Sequence, residues 1–194
     1  VTDVNVVKSA IFERPDDANK GTLGSLLCVC GSYGMAGAAV MSAKGALRTG
    51  IGLAKCALPR SIYPIVAQTI LESVYYPLSE NADGRISKVN VPFLVSESCK
   101  SSATLVGCGL GVCDDTLKIV FSLIENSTTP LVLDADALNC VAKQPEILLK
   151  KKAPIIITPH PGEMSRLTGL ATPLVNAERE RVALDFAQKY GVVT

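Results

Sequence analysis

Short apolar runs alternate along the chain with longer stretches whose apolar residues recur at helical spacing. The runs at 26–30, 53–58, 73–78, 104–106, 131–133 and 155–157 are too short for helices and read as strands. Between them, Ala39, Val40, Ala43, Ala46 and Leu47 form a helical stripe that ends by Gly50. Residues 61–70 read as helical despite Pro64, and Asp114 or Asp115 is placed to cap a helix carrying Leu117, Val120, Phe121 and Ile124. Val182, Phe186 and Tyr190 repeat every four residues in a last helix, with Gly191 as its C-cap. The stretch 79–88 is the most polar and loop-like, and Lys150, Lys151 and Lys152 read as a solvated helix end. Fully apolar strands alternating with helices imply one α/β domain, its largely parallel sheet covered on both faces. Residues 1–19, polar and mixed, read as an extension, and 20–194 as the domain.

Composition narrows the classes. Of 194 residues, 48% are hydrophobic and 19% charged, which suits a folded core and excludes disorder. Nineteen basic against 18 acidic residues leave a net charge of +1, so no basic excess exists to bind nucleic acid. Lys44, Arg48 and Lys55 interrupt the most hydrophobic region, so no membrane span is expected. Seven cysteines without metal-type spacing and a single histidine argue against a zinc site and for a reduced, cytoplasmic setting. Cys28 and Cys30 are expected on alternate sides of their strand.

Ligands of parallel sheets bind beyond the carboxyl ends of the strands, and four unusual loops fall there: 31–37, 107–111, 134–139 and 158–163. The first carries three glycines and enters a helix, a setting in which backbone N–H groups approach an anion; a tight strand–helix turn explains it equally well. Gly107, Gly109 and Gly111 resemble a dinucleotide fingerprint, with Asp134 in the position of the ribose-binding acid, but Val112 stands where a third spaced glycine belongs. Asp134 and Asp136 could position a hydroxyl or a hydrated cation, or Asp136 could cap the next helix. His160, held between Pro159 and Pro161, is well placed to touch a ligand, and Glu163 falls in the first turn of the following helix, where it could equally serve the helix dipole.

Together these segments resemble the ADP- or ATP-dependent NAD(P)H-hydrate dehydratases, collinearly from about residue 20 to 170. The carrying motifs are Gly31-Ser32-Tyr33-Gly34-Met35-Ala36-Gly37, Gly107-Cys108-Gly109-Leu110-Gly111, Asp134-Ala135-Asp136-Ala137-Leu138-Asn139 and Thr158-Pro159-His160-Pro161-Gly162-Glu163. The resemblance implies a ribokinase-like three-layer α/β/α fold with a mostly parallel central sheet. It implies ADP or ATP as co-substrate, Mg2+, hydrated NADH or NADPH as substrate, and a homo-oligomer, a tetramer in stand-alone bacterial members. By the same token Ala38 or Ala39, Gly107, Gly109 and His160 would line the hydrate site, with Asp134, Asp136 and Asn139 facing the same cleft, and Glu163 would hold magnesium through water. Cys108 departs from the family's usual proline. The family's nucleotide-binding glycine turn and its catalytic aspartate are expected beyond Thr194, so the chain reads as the first two-thirds of such an enzyme. A ribokinase-like kinase of a small hydroxymethyl compound and a non-catalytic dinucleotide-binding module are the competing readings.

Overall fold

The computed structural model describes residues 3–5, 16 and 21–194, so the 1–19 extension lies almost wholly outside the described residues, as does Lys20. The apolar runs pair into one sheet of β1 (Ser25–Val29), β2 (Leu53–Pro59), β3 (Val74–Leu78), β4 (Ala103–Val106), β5 (Leu131–Leu133) and β6 (Ile155–Ile157). The strand order is β3-β2-β1-β4-β5-β6 and every neighbouring pair is parallel. Beyond β6, Val193 makes a parallel bridge to Ile156. The chain therefore runs outward from β1 to β3, crosses back, and runs outward again from β4 to β6. β1 and β4 flank the point where the winding reverses, and their following loops diverge to opposite faces.

The helices are α1 (Ala36–Arg48), α2 (Tyr63–Thr69), α3 (Val91–Cys99), α4 (Asp114–Asn126), α5 (Asp136–Val141), α6 (Pro161–Thr168), α7 (Thr172–Ala177) and α8 (Arg179–Tyr190). Strand alternation sends β1 side chains to two separate cores. Leu27 and Val29 join Val106, Leu133 and Ile157 beneath Leu94 of α3, Ile119 and Leu123 of α4 and Phe186 of α8. Cys28 and Cys30 join Cys56 and Leu58 beneath Ala39 and Ala43 of α1 and Val66 of α2. Each fully buried Leu, Ile or Val contributes about 1.5–3 kcal/mol of transfer free energy. The α1 face is packed with small residues, so that helix can approach the sheet closely.

Four local expectations change. Cys28 and Cys30 share one face, because residues two apart on a strand point the same way. The cap of α4 is Cys113, whose N–H donates to Thr116 Oγ1 at 2.9 Å, while Asp114 and Asp115 occupy the first turn and complement the helix dipole. Helix α5 begins at Asp136 and has no side-chain cap, so Asp136 does not cap it. Lys151 is only partly solvated: its Nζ donates to the Tyr190 carbonyl at 2.7 Å, at the negative end of α8, while Lys150 pairs with Glu125 at 3.0 Å. The last helix follows the pattern read from its spacing, with Val182, Phe186 and Tyr190 buried and Gly191 left-handed at φ 62°.

No helix of the described residues is long and apolar enough to cross a membrane.

Candidate functional site

The four loops singled out in the sequence meet at the carboxyl edge of the sheet, around the gap between β1 and β4. Main-chain bonds tie them together: Gly31 N–H donates to the Cys108 carbonyl at 2.8 Å, and Asp136 N–H to the Gly107 carbonyl at 3.3 Å. Ser32 Oγ donates to the Gly109 carbonyl at 2.8 Å and is buried. Thr158 N–H donates to the Leu133 carbonyl, which brings the β6 loop against the end of β5.

Gly107 is the hinge of this arrangement. Its φ is +124°, and a Cβ there would overlap the Asp134 carbonyl oxygen and lie 2.7 Å from the Ala137 nitrogen. Only a residue without a side chain lets the β4 loop press so closely on the start of α5. Gly109, at φ +65°, faces α1 in the same way, since a Cβ would stand 2.7 Å from Ala38 Cβ. Ala38 is half-buried beside Gly109, whereas Ala39 is 3% exposed and packs beneath Gly31. Of the two alanines, Ala38 is the one at the surface of the cleft.

Asp134 is held from both sides. Thr158 Oγ1 donates to its Oδ1 at 2.8 Å, and the Cys108 thiol donates to its Oδ2 at 3.3 Å. Asp136 Oδ2 accepts the Gly111 N–H at 2.8 Å and its Oδ1 accepts Asn139 Nδ2 at 3.3 Å. Asn139 Oδ1 is buried with no partner among the described residues. Between the two aspartates, Ala135 has φ 49° and ψ −113°, the sole positive φ of a non-glycine residue among the described residues. Such a conformation costs about 1–3 kcal/mol and persists where surrounding contacts over-determine it. Here the β4 loop and the Thr158 hydroxyl supply those contacts.

His160 and Glu163 form a capping box at the start of α6. His160 N–H donates to Glu163 Oε2 at 2.9 Å, Nε2 lies 3.2 Å from Oε1, and Nδ1 accepts the Gly162 N–H at 3.1 Å. The His160 side chain is 61% exposed and that of Glu163 8%, so the imidazole is presented to solvent on a buried carboxylate. Glu163 thus spends both oxygens on His160, and no group of three His, Cys, Asp or Glu able to hold a metal assembles among the described residues. This donor set does not make a resident magnesium cage. It fits an ion brought in on nucleotide phosphates, for which one or two carboxylates suffice.

One wall of the cleft was not foreseen. The polar stretch after β3 folds into a tight turn, with an antiparallel bridge between Glu80 and Ile86 and Asn81 N–H donating to the Arg85 carbonyl at 2.9 Å. Tyr33 N–H donates to the Gly84 carbonyl at 2.9 Å, so the turn is fastened to the β1 loop. Arg85 lies across Gly111 and pairs with Asp83 at 3.0 Å, which puts a guanidinium beside the β4 loop. The Asp83-Gly84 dipeptide was the available turn signal; where the turn docks is a long-range matter that no local pattern carries.

The parallel sheet, its reversal between β1 and β4 and the loops gathered there define a ribokinase-like α/β/α protein. An Enterococcus faecalis protein of the ribokinase-like superfamily shares this fold at a TM-score of 0.76 over 98% of the chain, at 19% identity. The chain belongs to the NAD(P)H-hydrate dehydratase family, whose model matches residues 26–194. It is 38% identical over 176 residues to the bifunctional NAD(P)H-hydrate repair enzyme Nnr of Thermofilum pendens, covering 91% of the chain and 34% of that relative. It is 28% identical over 189 residues to the ADP-dependent (S)-NAD(P)H-hydrate dehydratase of Bacillus subtilis, covering 96% of the chain and 62% of that relative. A crystal structure of the Bacillus subtilis ADP/ATP-dependent NAD(P)H-hydrate dehydratase, co-crystallized with ATP/Mg2+, superposes at a TM-score of 0.74 with 28% identity over 94% of the chain. The chain spans 34% of the length of the Thermofilum pendens relative and 62% of the Bacillus subtilis one.

Proposed function

We propose that this chain recognises hydrated NADH or NADPH and takes part in an ADP- or ATP-dependent dehydration that restores the reduced nicotinamide. The observation that supports this best is the meeting of the four family motifs around the β1–β4 gap, with Asp134 held between the Cys108 and Thr158 donors. The names of the Thermofilum and Bacillus relatives support the same reading.

The chemistry asks for a leaving group. Hydroxide departs poorly from the hydrated ring, so the nucleotide's terminal phosphoryl is transferred to the ring hydroxyl, breaking its P–O bond to the nucleotide as a new one forms and the hydroxyl proton leaves to water. The C–O bond then breaks, the ring nitrogen's lone pair pushing phosphate out, and loss of the neighbouring ring proton restores the double bond. Such transfers depend mainly on positioning and on stabilising charge. Ala38, half-buried and backed by the buried Gly109, offers a small surface on which a flat ring can lie. Asp134 accepts a hydrogen bond from the ring hydroxyl in place of one of its present donors, and Asp136 keeps the Gly111 turn in place. Asn139 Oδ1 is an acceptor without a partner among the described residues. His160, fixed by Glu163, stands exposed two residues beyond Thr158, the donor to Asp134. Mg2+ arriving on the nucleotide phosphates would offset the charge on the transferring group, and Glu163 would hold it through water by giving up its contact with the His160 imidazole.

The test is recovery of the reduced nicotinamide's near-ultraviolet absorbance when the protein carrying this chain is incubated with hydrated NADPH and ADP or ATP. Nucleotide-dependent recovery is expected, and Asp134→Asn should lower kcat/KM by about ten- to a hundredfold, the cost of roughly 1.4–2.7 kcal/mol of transition-state stabilisation. No nucleotide-dependent recovery, or an unimpaired Asp134→Asn, overturns the proposal.

A further inference from the structure

The α1 face of the sheet carries a row of thiols that the proposed dehydration does not use. Cys28 stands opposite Cys56 in the register of β1 and β2, both 2% exposed. Two residues on, Cys30 is 1% exposed and packs against Cys108, which is half-buried at the cleft. All seven cysteines are free thiols.

The neighbourhood of Cys30 and Cys108 is fixed by backbone rather than by flexible side chains. Gly107 N–H donates to the Val29 carbonyl at 3.2 Å and Gly31 N–H to the Cys108 carbonyl at 2.8 Å, so the two cysteines sit between paired main-chain bonds on adjacent strands. These two bonds set Gly107 and Cys108 together opposite Cys30, as in a bulge, and both cysteine side chains pack into the cluster beneath α1. Neighbouring backbones about 4.8 Å apart lie inside the range of roughly 4.4–6.8 Å between Cα atoms that a disulfide spans. The thiols already interact: their mutual hydrogen bond lowers the pKa of Cys108, while the same bond and burial raise that of Cys30. Cys108 also donates to Asp134 Oδ2, so its sulfur lies at the mouth of the cleft.

We infer that Cys108 and Cys30 form a peroxide-sensitive thiol pair, Cys108 being the sulfur attacked and Cys30 the one that resolves it into a disulfide. The Cys108 thiolate attacks one oxygen of a hydroperoxide, forming an S–O bond as the O–O bond breaks; sulfur is oxidised to a sulfenic acid and the peroxide is reduced to water or an alcohol. The Cys30 sulfur then attacks the Cys108 sulfur, its proton leaving with the displaced hydroxyl as water, and the S–S bond forms. Oxidation removes the Cys108 hydrogen from Asp134 and locks the β1 and β4 loops together across the cleft. This last consequence rests on the proposed function of the cleft; the thiol chemistry does not.

The experiment treats the native chain with a slight excess of hydrogen peroxide, quenches it, and maps thiols after denaturation. Free thiols should fall by two from the seven of the sequence. Fragmentation of a cross-linked pair of tryptic peptides, 21–44 with 101–118, should assign the bond to Cys30 and Cys108 rather than to Cys28 or Cys113. Cys30→Ser should stop at a Cys108 sulfenic acid trapped by dimedone, and Cys108→Ser should lose no thiol. A bond to any other cysteine, or Cys108 still a free thiol or halted as sulfenic acid in the unaltered chain, overturns the pair. The mass readout needs no turnover, so it stands whether or not the dehydration assay succeeds.

Discussion

Replacing Gly107 with alanine tests whether the end of β4 is built as described. The new Cβ would overlap the Asp134 carbonyl oxygen and stand 2.7 Å from both the Ala137 nitrogen and Ala137 Cβ. None of these atoms is a movable side-chain end. The Asp134 carbonyl accepts the Ala137 N–H at 3.0 Å, and Asp134 N–H donates to the Val106 carbonyl at 3.1 Å. The backbone at φ +124° is itself costly for an L-residue, about 1–3 kcal/mol. Overpacking adds about 1–3 kcal/mol, and weakening one of the anchoring main-chain bonds about 0.5–1.5 kcal/mol. A loss of about 2.5–7.5 kcal/mol is expected, a large part of the roughly 5–15 kcal/mol typical of a domain. Gly45→Ala is the matched control: it lies in α1, exposed, with nothing within 4 Å of the place its Cβ would take, and should stabilise by about 0.5–1 kcal/mol. Urea titrations followed by far-ultraviolet circular dichroism give both values from the shift in midpoint at a common slope. A Gly107→Ala chain within about 1 kcal/mol of the parent would refute the close approach of the β4 loop and α5, since ordinary surface substitutions already scatter by about 0.5 kcal/mol.

Glu163→Ala should destabilise by about 1–2 kcal/mol through loss of the capping box, while Glu163→Gln, whose amide oxygen can still accept from His160 N–H, should lose less; equal losses in urea would remove the capping role. Glu97 is pushed up by burial, but donors from Lys100 and Tyr76 and the charges of Lys100 and Lys55 outweigh it and hold its pKa below 4.5. A carboxylate lowered on folding adds stability above its unfolded pKa, and that stability is lost as pH falls through the lowered folded value. The urea midpoint of the parent should therefore exceed that of Glu97→Gln at neutral pH, with the gap narrowing below about pH 4.5; a gap independent of pH across that window would count against the ion-pair assignment.

Much of this molecule was legible without the third dimension. Each strand was found to within a residue or two because a buried parallel strand must be apolar on both faces. The gathering of Gly107, Asp134 and Thr158 at one edge followed from the rule that loops at strand carboxyl ends lie together. By contrast, α3 gave no usable signal: nine residues opening on Val91 and Pro92 are too short for a convincing helical stripe. Local pattern also placed the cap of α4 one residue late, at Asp114 or Asp115 in place of Cys113, and left the role of Asp136 open, because its bond to Gly111 depends on the packed loops.

The sequence by itself determined the parallel α/β architecture and which loops carry chemistry, because period and small-residue loops are local properties of the chain. Tertiary structure alone decided that Ala38 and not Ala39 meets the cleft, that the turn around Arg85 closes over Gly111, and that Cys30 lies beside Cys108. Each of these depends on which strands become neighbours. Strand order and the reversal between β1 and β4 are set by the packing of two whole cores, and no window of residues contains that balance.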